Sequence, residues 1–286
     1  MSLLRFSVLA GAVGLAGFSF GCQKSEEHPP FAAGCEENCT PLPPIGVDIG
    51  GGKAGSASMN PDDPDAGPVS LEGKVGQLTD DSFVQGIVYS GEATISADGF
   101  GGSPVTGTWN GAVPEPDPYT LEGVARRTTN WVSVTPIQSA DLLTTYRAVD
   151  TRSNTNVDLS LVSGITLDGI FNSISSLRSP AAGQVILFFR SAGTGAALPG
   201  LHVAMLKAQL AVYASASGWT LDDGTATTAS SGLVLFGNVE PANSDGTQTV
   251  TVTRAATATT PVVAAGQFAV KVVQGAVTIA RVDVQL

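Results

Sequence analysis

Gly232-Leu233-Val234-Leu235-Phe236-Gly237-Asn238-Val239-Glu240-Pro241 is the stretch whose reading decides the fold. A glycine opens an apolar run, a second glycine closes it, and Val239 leads into a turn made by Glu240 and Pro241. An earlier stretch echoes it: Gly107-Thr108-Trp109-Asn110-Gly111-Ala112-Val113-Pro114-Glu115-Pro116. Polar–apolar alternation resumes after both, through Leu121 and Val124 in the first case and Val250 and Val252 in the second. That is the period of a strand with one face on a core. The pair reads as one β-unit used twice, and the expectation is an all-β chain with two tandem sandwiches.

Working outward, residues 69–161 hold short strand-like runs at 83–89, 93–96, 119–125, 131–135, 144–149 and 157–162. Turn signals separate them, among them Asp80-Asp81, Asp98-Gly99 and Gly101-Gly102. Short strands at this spacing indicate a sandwich. The period then changes. Leu167, Ile170, Phe171, Ile174 and Leu177 fall at helical spacing, with Asp168 as a candidate cap and Pro180 beyond the end. One short helix of about ten residues is predicted there. The second unit runs through 183–189, 198–205, 208–214, a Thr-rich strand at 226–231, the deciding stretch, 267–273 and 277–284.

The order in this second unit is G-x-V at Gly183, L-P-G-x-x-V from Leu198 to Val203, a Thr-rich run, then G-x-x-x-x-x-N-V ending at Asn238-Val239 and alternating Val/Thr. It resembles the carboxypeptidase-regulatory-like family, which has a transthyretin-like (prealbumin-like) β-sandwich. Ser230-Ser231 stand where that family usually carries Asp before the Gly, and the turn after the Val is longer. The resemblance spans about 183–284 and extends to 71–160 through Gly73-Lys74-Val75 and the echo. It implies a fold and assigns no chemistry.

The N-terminus carries an address. Arg5 precedes an apolar run from Phe6 to Phe20 that includes three glycines. A membrane span needs roughly 20 apolar residues, so this shorter run fits the h-region of an export signal. It ends in Ser19-Phe20-Gly21-Cys22, which resembles the lipobox of bacterial lipoproteins. Gly21 and Cys22 match, whereas Ser19 replaces the usual Leu and Phe20 is bulky. The resemblance implies lipid attachment at Cys22; ordinary cleavage with a free Cys22 is the competing reading. The three cysteines are Cys22, Cys35 and Cys39. An odd thiol in an exported chain needs a reason, and lipidation of Cys22 supplies one by leaving a pair. Cys35 and Cys39 can then close a small disulfide loop in an oxidising compartment. Free thiols, or a metal with His28 as a further ligand, are the alternatives, although two thiols alone do not complete a tetrahedral zinc shell.

From Cys22 to Pro68 the chain holds eight Pro, seven Gly and eight acidic residues against two Lys, with no apolar periodicity. Such a stretch buries too little surface to offset its ordering entropy, so a disordered tether is expected. As a flexible coil it would span about 40 Å. Gly50-Gly51-Gly52-Lys53-Ala54-Gly55 satisfies G-x-G-x-x-G and brushes against a phosphate loop, but no strand precedes it and no helix follows. The acidic run around Asp62, Asp63 and Asp65 is broken by prolines and lacks the final Glu of a calcium loop. Both read as linker.

The net charge is −11 and no Lys/Arg cluster is expected beyond the pair Arg126-Arg127, so nucleic acid is not expected as a partner. Residues 69–286 carry no Cys and one His, His202, on the strand after the Leu198-Pro199-Gly200 turn. A lone strand His reads first as a packing residue. No G-x-S-x-G and no H-E-x-x-H occurs. Asp222-Asp223 and Asp80-Asp81 are adjacent carboxylates, which in turns serve hydrogen bonding. Trp109, Trp131 and Trp219 can supply a stacking platform, with core packing as the default. Trp219 is the best exposed candidate for ligand binding, and with Asp222 and Asp223 of the adjacent turn it makes up the candidate binding site. No catalytic, cofactor or metal residues are assigned.

The expected organisation is a signal peptide over 1–21, a tether over 22–68, a β-sandwich over 69–163, a short helix and linker over 164–178, and a second sandwich over 179–286. The expected role is a non-catalytic envelope lipoprotein at the outer membrane or cell surface, held by lipid on Cys22 and acting as a structural or protein-interaction module. A glycan- or peptide-binding protein using the sandwich loops is the alternative. An enzyme is the reading that the missing residues argue against.

Overall fold

Runs of Val, Thr and aromatic residues broken by glycine turns give twenty strands and one helix among the described residues. In this computed structural model those residues are 47–49, 67–84, 86–113, 115–152, 155–241, 246–254 and 263–285. The apolar run at 6–20, Cys22, Cys35, Cys39 and nearly all of the expected tether lie outside them. In chain order the elements are β1 (Val47–Ile49), β2 (Val69–Gly73), β3 (Val75–Leu78), β4 (Gly86–Val88), β5 (Glu92–Asp98), β6 (Pro104–Asn110), β7 (Tyr119–Val124), β8 (Asn130–Pro136), β9 (Leu142–Leu143) and β10 (Thr145–Val149). They continue with β11 (Thr155–Asn156), β12 (Leu159–Ser163), α1 (Gly164–Ser173), β13 (Gly183–Ser191), β14 (Leu201–Met205), β15 (Leu210–Ser215) and β16 (Gly218–Leu221). The last four are β17 (Leu233–Val239), β18 (Thr247–Arg254), β19 (Val263–Lys271) and β20 (Val277–Val284).

One ten-stranded sheet runs β16-β15-β17-β13-β20-β10-β8-β5-β6, with β1 added on β20. Three smaller sheets, β11-β2-β7, β4-β3-β12-β9 and β14-β18-β19, cover it. Two sandwich cores result. The first contains Leu71, Ile95, Trp109, Tyr119, Leu121, Val132, Val134 and Leu161. The second contains Val185, Leu187, Phe189, Val234, Phe236, Val250, Val252, Ala280 and Val282. Polar anchors hold the first at its corners. The indole of Trp109 donates to the Tyr89 carbonyl at 3.0 Å, and buried Asn130 accepts from the Asp98 amide and donates to the carbonyls of Asp98 and Ala125.

The two cores lie on opposite faces of the long sheet. Val132 and Val134 are level with Arg147 and Thr145, which are level with Ile279 and Val277 in the parallel β10–β20 pair. Ile279 and Val277 face away from Ala280 and Val282, because successive strand side chains alternate. On the Ile279 face, next to the first core, α1 covers the second half of the sheet. There Leu167, Ile170 and Phe171 pack with Ile186, Val212, Leu233 and Leu235, joined by Leu78 and Phe83 from the first half. All of these residues belong to one compact unit, Pro44–Leu286.

The deciding stretch is a strand buried along its whole length. Val234 and Phe236 enter the second core while Leu233 and Leu235 meet the helix layer, which is why its apolar run does not alternate. Gly237 lets Phe171 close on the strand: a Cβ there would stand 2.6 Å from the ring Cζ. Asn238 adopts φ 53°, and its side chain clamps the segment before β13 by accepting from the Ser179 amide and donating to the Leu177 carbonyl.

Several expectations are corrected. The helix begins at Gly164, capped by Ser163, whose hydroxyl accepts from the amides of Ile165 and Thr166. Asp168 is therefore inside the helix, where it pairs with Arg178 at 2.7 Å. Residues 226–231 form no strand. Thr228 instead ties the chain across to Leu198, Gly200 and Leu201, and those bonds replace a ladder. The echo is not a structural repeat, for Gly107 lies in an edge strand and Gly232 opens an interior one. Within the expected tether, Val47–Ile49 pair antiparallel with Val282–Val284 and extend the sheet.

Candidate binding cleft

Over β10, β20 and β13 the Ile279 face forms the floor of a cleft of about 400 Å³. Thr145, Arg147, Ile279, Arg281, Phe188 and Arg190 line it from the sheet, and Leu78, Phe83, Val84, Ser160 and Gly195 complete it. That volume falls in the usual range of ligand pockets, roughly 300–1,000 Å³. Three adjacent strands each contribute one arginine, and the register sets their places. Arg147 is level with Ile279, Arg281 lies two residues further along β20, and Arg281 is level with Phe188, two residues before Arg190 on β13. The three bases form a diagonal line across the sheet.

The arginines are only partly satisfied by the protein. Arg147 donates to the backbone carbonyl of Asp158, and Arg190 reaches the Gly195 carbonyl at 3.5 Å. Arg281 pairs with Asp283 at 2.9 Å through one nitrogen. A guanidinium has five donors, so each retains capacity for a further acceptor. Burial holds Arg147 below its ordinary pKa; Tyr119 and Asp158 oppose that shift, and Arg281 adds to it. A bound anion relieves a site where desolvation and a like charge act against the cation. The cleft is thus suited to an anionic ligand, with Phe188, Ile279, Leu78 and Phe83 as its apolar complement.

No local run of basic residues announces this cluster, and the expectation that the chain lacks one beyond Arg126-Arg127 is corrected. The available signal is subtler: Arg147, Arg190 and Arg281 each stand within a strand that is otherwise mostly apolar and carries no other cation. A cation inside a strand that reads as core marks a position where that face is open.

The residues singled out from sequence lie elsewhere. Trp219 does not stand exposed. It is half-buried, with its ring edge-on to Phe83 at 6.1 Å between centroids. Asp222 accepts from the amides of Gly224 and Ala226, and Asp223 from the amide and hydroxyl of Thr225, so both carboxylates build the turn. These bonds, the Thr225 hydroxyl first, lower the pKa of Asp223. The other Asp222 oxygen lies 3.6 Å from Nε2 of His202, which the fold thereby brings to a carboxylate from a different turn. Trp109 is buried in the first core and Trp131 packs on the second. Among the described residues no group of three or more His, Cys, Asp or Glu side chains comes together as metal ligands.

No protein-family model matches the chain. No curated protein matches it either. Among solved structures, the shaft pilin SpaA from Lactobacillus rhamnosus GG is similar over 76% of this chain and 97% of its own, at 12% identity and a TM-score of 0.22. The pilus adhesin RrgA from Streptococcus pneumoniae is similar over 68% of this chain and 26% of its own, at 11% identity and a TM-score of 0.20.

Proposed function

We propose that this chain is a non-catalytic envelope lipoprotein whose fused sandwiches hold an anionic partner in the arginine cleft. The observation that carries the reading is the placing of Arg147, Arg281 and Arg190 on one open face of an acidic protein. Gly21-Cys22 after the apolar run supports lipid attachment, and the Pro/Gly-rich segment behind it supports a tether that carries the module away from an outer-membrane or cell-surface anchor. Two acyl chains suffice for stable anchoring, because each buried CH₂ contributes about 0.8 kcal/mol. The order of glycines and Asn238 supports a carboxypeptidase-regulatory-like, prealbumin-like second sandwich. An aromatic glycan platform has no comparable support, since all three tryptophans are engaged in packing.

Two measurements test the reading. Cys22→Ser should release the protein from membranes and abolish incorporation of labelled fatty acid; a variant that stays with the membrane, beside a wild type that takes no label, removes the anchor. Poly-aspartate should bind the full chain with an affinity that falls steeply with salt, and Arg147→Gln should weaken it. Absence of any anionic binding removes the cleft from the proposal.

A further inference from the structure

We infer that the cleft recognises an extended acidic peptide with carboxylates at alternate positions and apolar residues between them; this rests on the anionic reading of the cleft given above. The argument comes from strand geometry. Arg147, Arg281 and Arg190 are separated in each step by one strand and two residues. One interstrand spacing of ~4.8 Å and two rises of ~3.3 Å put successive arginine Cα positions about 8 Å apart. Carboxylates at alternate positions of an extended peptide repeat every ~6.7 Å on one face. Long arginine side chains absorb the remaining difference of about 1 Å. Neighbouring carboxylates would project to opposite faces, so a contiguous acidic run presents fewer of them to the floor.

The intervening side chains of such a peptide point away from the sheet. Leu78 at the end of β3, with Phe83 and Val84 from the β3–β4 connection, lines the cleft outside the arginine strands and supplies apolar surface for them. Val84 is largely exposed beside the cleft. Apolar contact on one side and charge-assisted hydrogen bonds on the other select acid–apolar–acid order over charge alone. Arg147, at one end of the diagonal, and Arg281, at its middle, are exposed, so a longer peptide can leave the cleft past Arg147.

The test compares three capped peptides on the full chain: Asp-Val-Asp-Val-Asp, its isomer Asp-Asp-Asp-Val-Val, and Asn-Val-Asn-Val-Asn. The alternating acid should bind about tenfold more tightly than its isomer, the scale of one charge-assisted hydrogen bond, and the amide peptide should not bind. Arg281→Gln and Arg190→Gln should each erase that ratio while the melting temperature stays near wild type. Equal binding of the two acidic isomers overturns the spacing inference and leaves the anionic cleft standing. Binding of an oligouronate with no binding of either acidic peptide overturns the peptide assignment in favour of an acidic glycan. Failure of every anionic probe overturns this inference and the cleft's proposed function together. The isomer comparison uses the unaltered protein, so the inference is tested even if a variant does not fold.

Discussion

The ring of Phe83 meets the ring of Trp219 edge-on, with centroids 6.1 Å apart and planes at 66°. Phe83 comes from the β3–β4 connection of the first half, and Trp219 from the edge strand β16 of the second. The contact completes an apolar layer with Ile186, Val212 and Leu235, and Phe83 also lines the cleft. A residue that looks like surface aromatic in sequence thus serves as a latch between halves.

Phe83→Ala should destabilise the chain by about 3–5 kcal/mol, the usual cost of emptying a buried aromatic site. Phe83 is buried, so little relief by collapse is expected. Denaturant unfolding followed by tryptophan emission checks it, because Trp219 loses its ring partner at the same time. A change below about 1 kcal/mol would show that the connection is dispensable packing.

The all-β fold was legible because Val, Thr and glycine turns set a period of two. The helix was legible because Leu167, Ile170, Phe171 and Ile174 set a different one. Its start was not, since Asp168 competes as a cap on composition alone; only the fold brings Asp141 beside Ser163, where its carboxylate accepts from the Ile165 amide and the Ser163 hydroxyl. The shared sheet was hidden for a similar reason. β10 and β20 are far apart in sequence, and nothing local in Thr145–Val149 specifies pairing with Val277–Val284. The cleft depends on that pairing, so its arginines were unreadable as a group.

Asn238 holds a left-handed backbone and three hydrogen bonds, the third from its amide to Gln184 at 3.0 Å. Asn238→Ala loses both side-chain bonds and places a Cβ residue without polar compensation at positive φ. Asn238→Gly loses the same bonds but tolerates the backbone. The alanine variant should therefore be less stable than the glycine variant by about 1 kcal/mol, with both below wild type. Chemical denaturation of the three proteins checks the order. Equal stability of the two variants would mean that the backbone conformation carries no strain.

Tyr213 lies in the second core, where its hydroxyl accepts from the Val203 amide at 2.9 Å and donates to the Val203 carbonyl at 3.0 Å. Burial pushes its pKa up from 10.0 to about 12, with the bond from Val203 opposing and the nearby Asp222 charge reinforcing. The folded value lies above the unfolded one, so the neutral phenol stabilises the fold fully below pH 10 and loses that contribution as pH rises toward 12. Stability measured from pH 9 to 12 should fall, with a shallower fall in Tyr213→Phe. Some slope should remain, because desolvation also raises Tyr119. An identical pH profile in the two proteins would remove Tyr213 from the alkaline transition.

The division of the folded part into 69–163 and 179–286 is carried forward as a proposal, and the packing tells how to test it. Residues 179–286 contain nearly all of the second core, including Leu187, Phe236, Val252 and Val282. Cutting before residue 179 removes Leu167, Ile170 and Phe171, however, and so uncovers Ile186, Val212, Leu233 and Leu235 on the opposite face. It also frees the edge of β20 that β10 occupies. The core favours folding of the isolated fragment, while the exposed face favours self-association. A fragment starting at Ser163 restores the helix together with its cap. The expected result is that 179–286 unfolds cooperatively but binds a hydrophobic dye and self-associates. The 163–286 fragment, whose β20 edge is still free but whose helix-side face is covered, should then bind less dye, self-associate less and be more stable by several kcal/mol, the scale of covering a few buried aliphatic side chains. Amide dispersion, dye binding and sedimentation of the two fragments decide it. If both are unfolded in isolation while the same strands are protected from hydrogen exchange in the full chain, the two cores form a single cooperative unit and the boundary is abandoned.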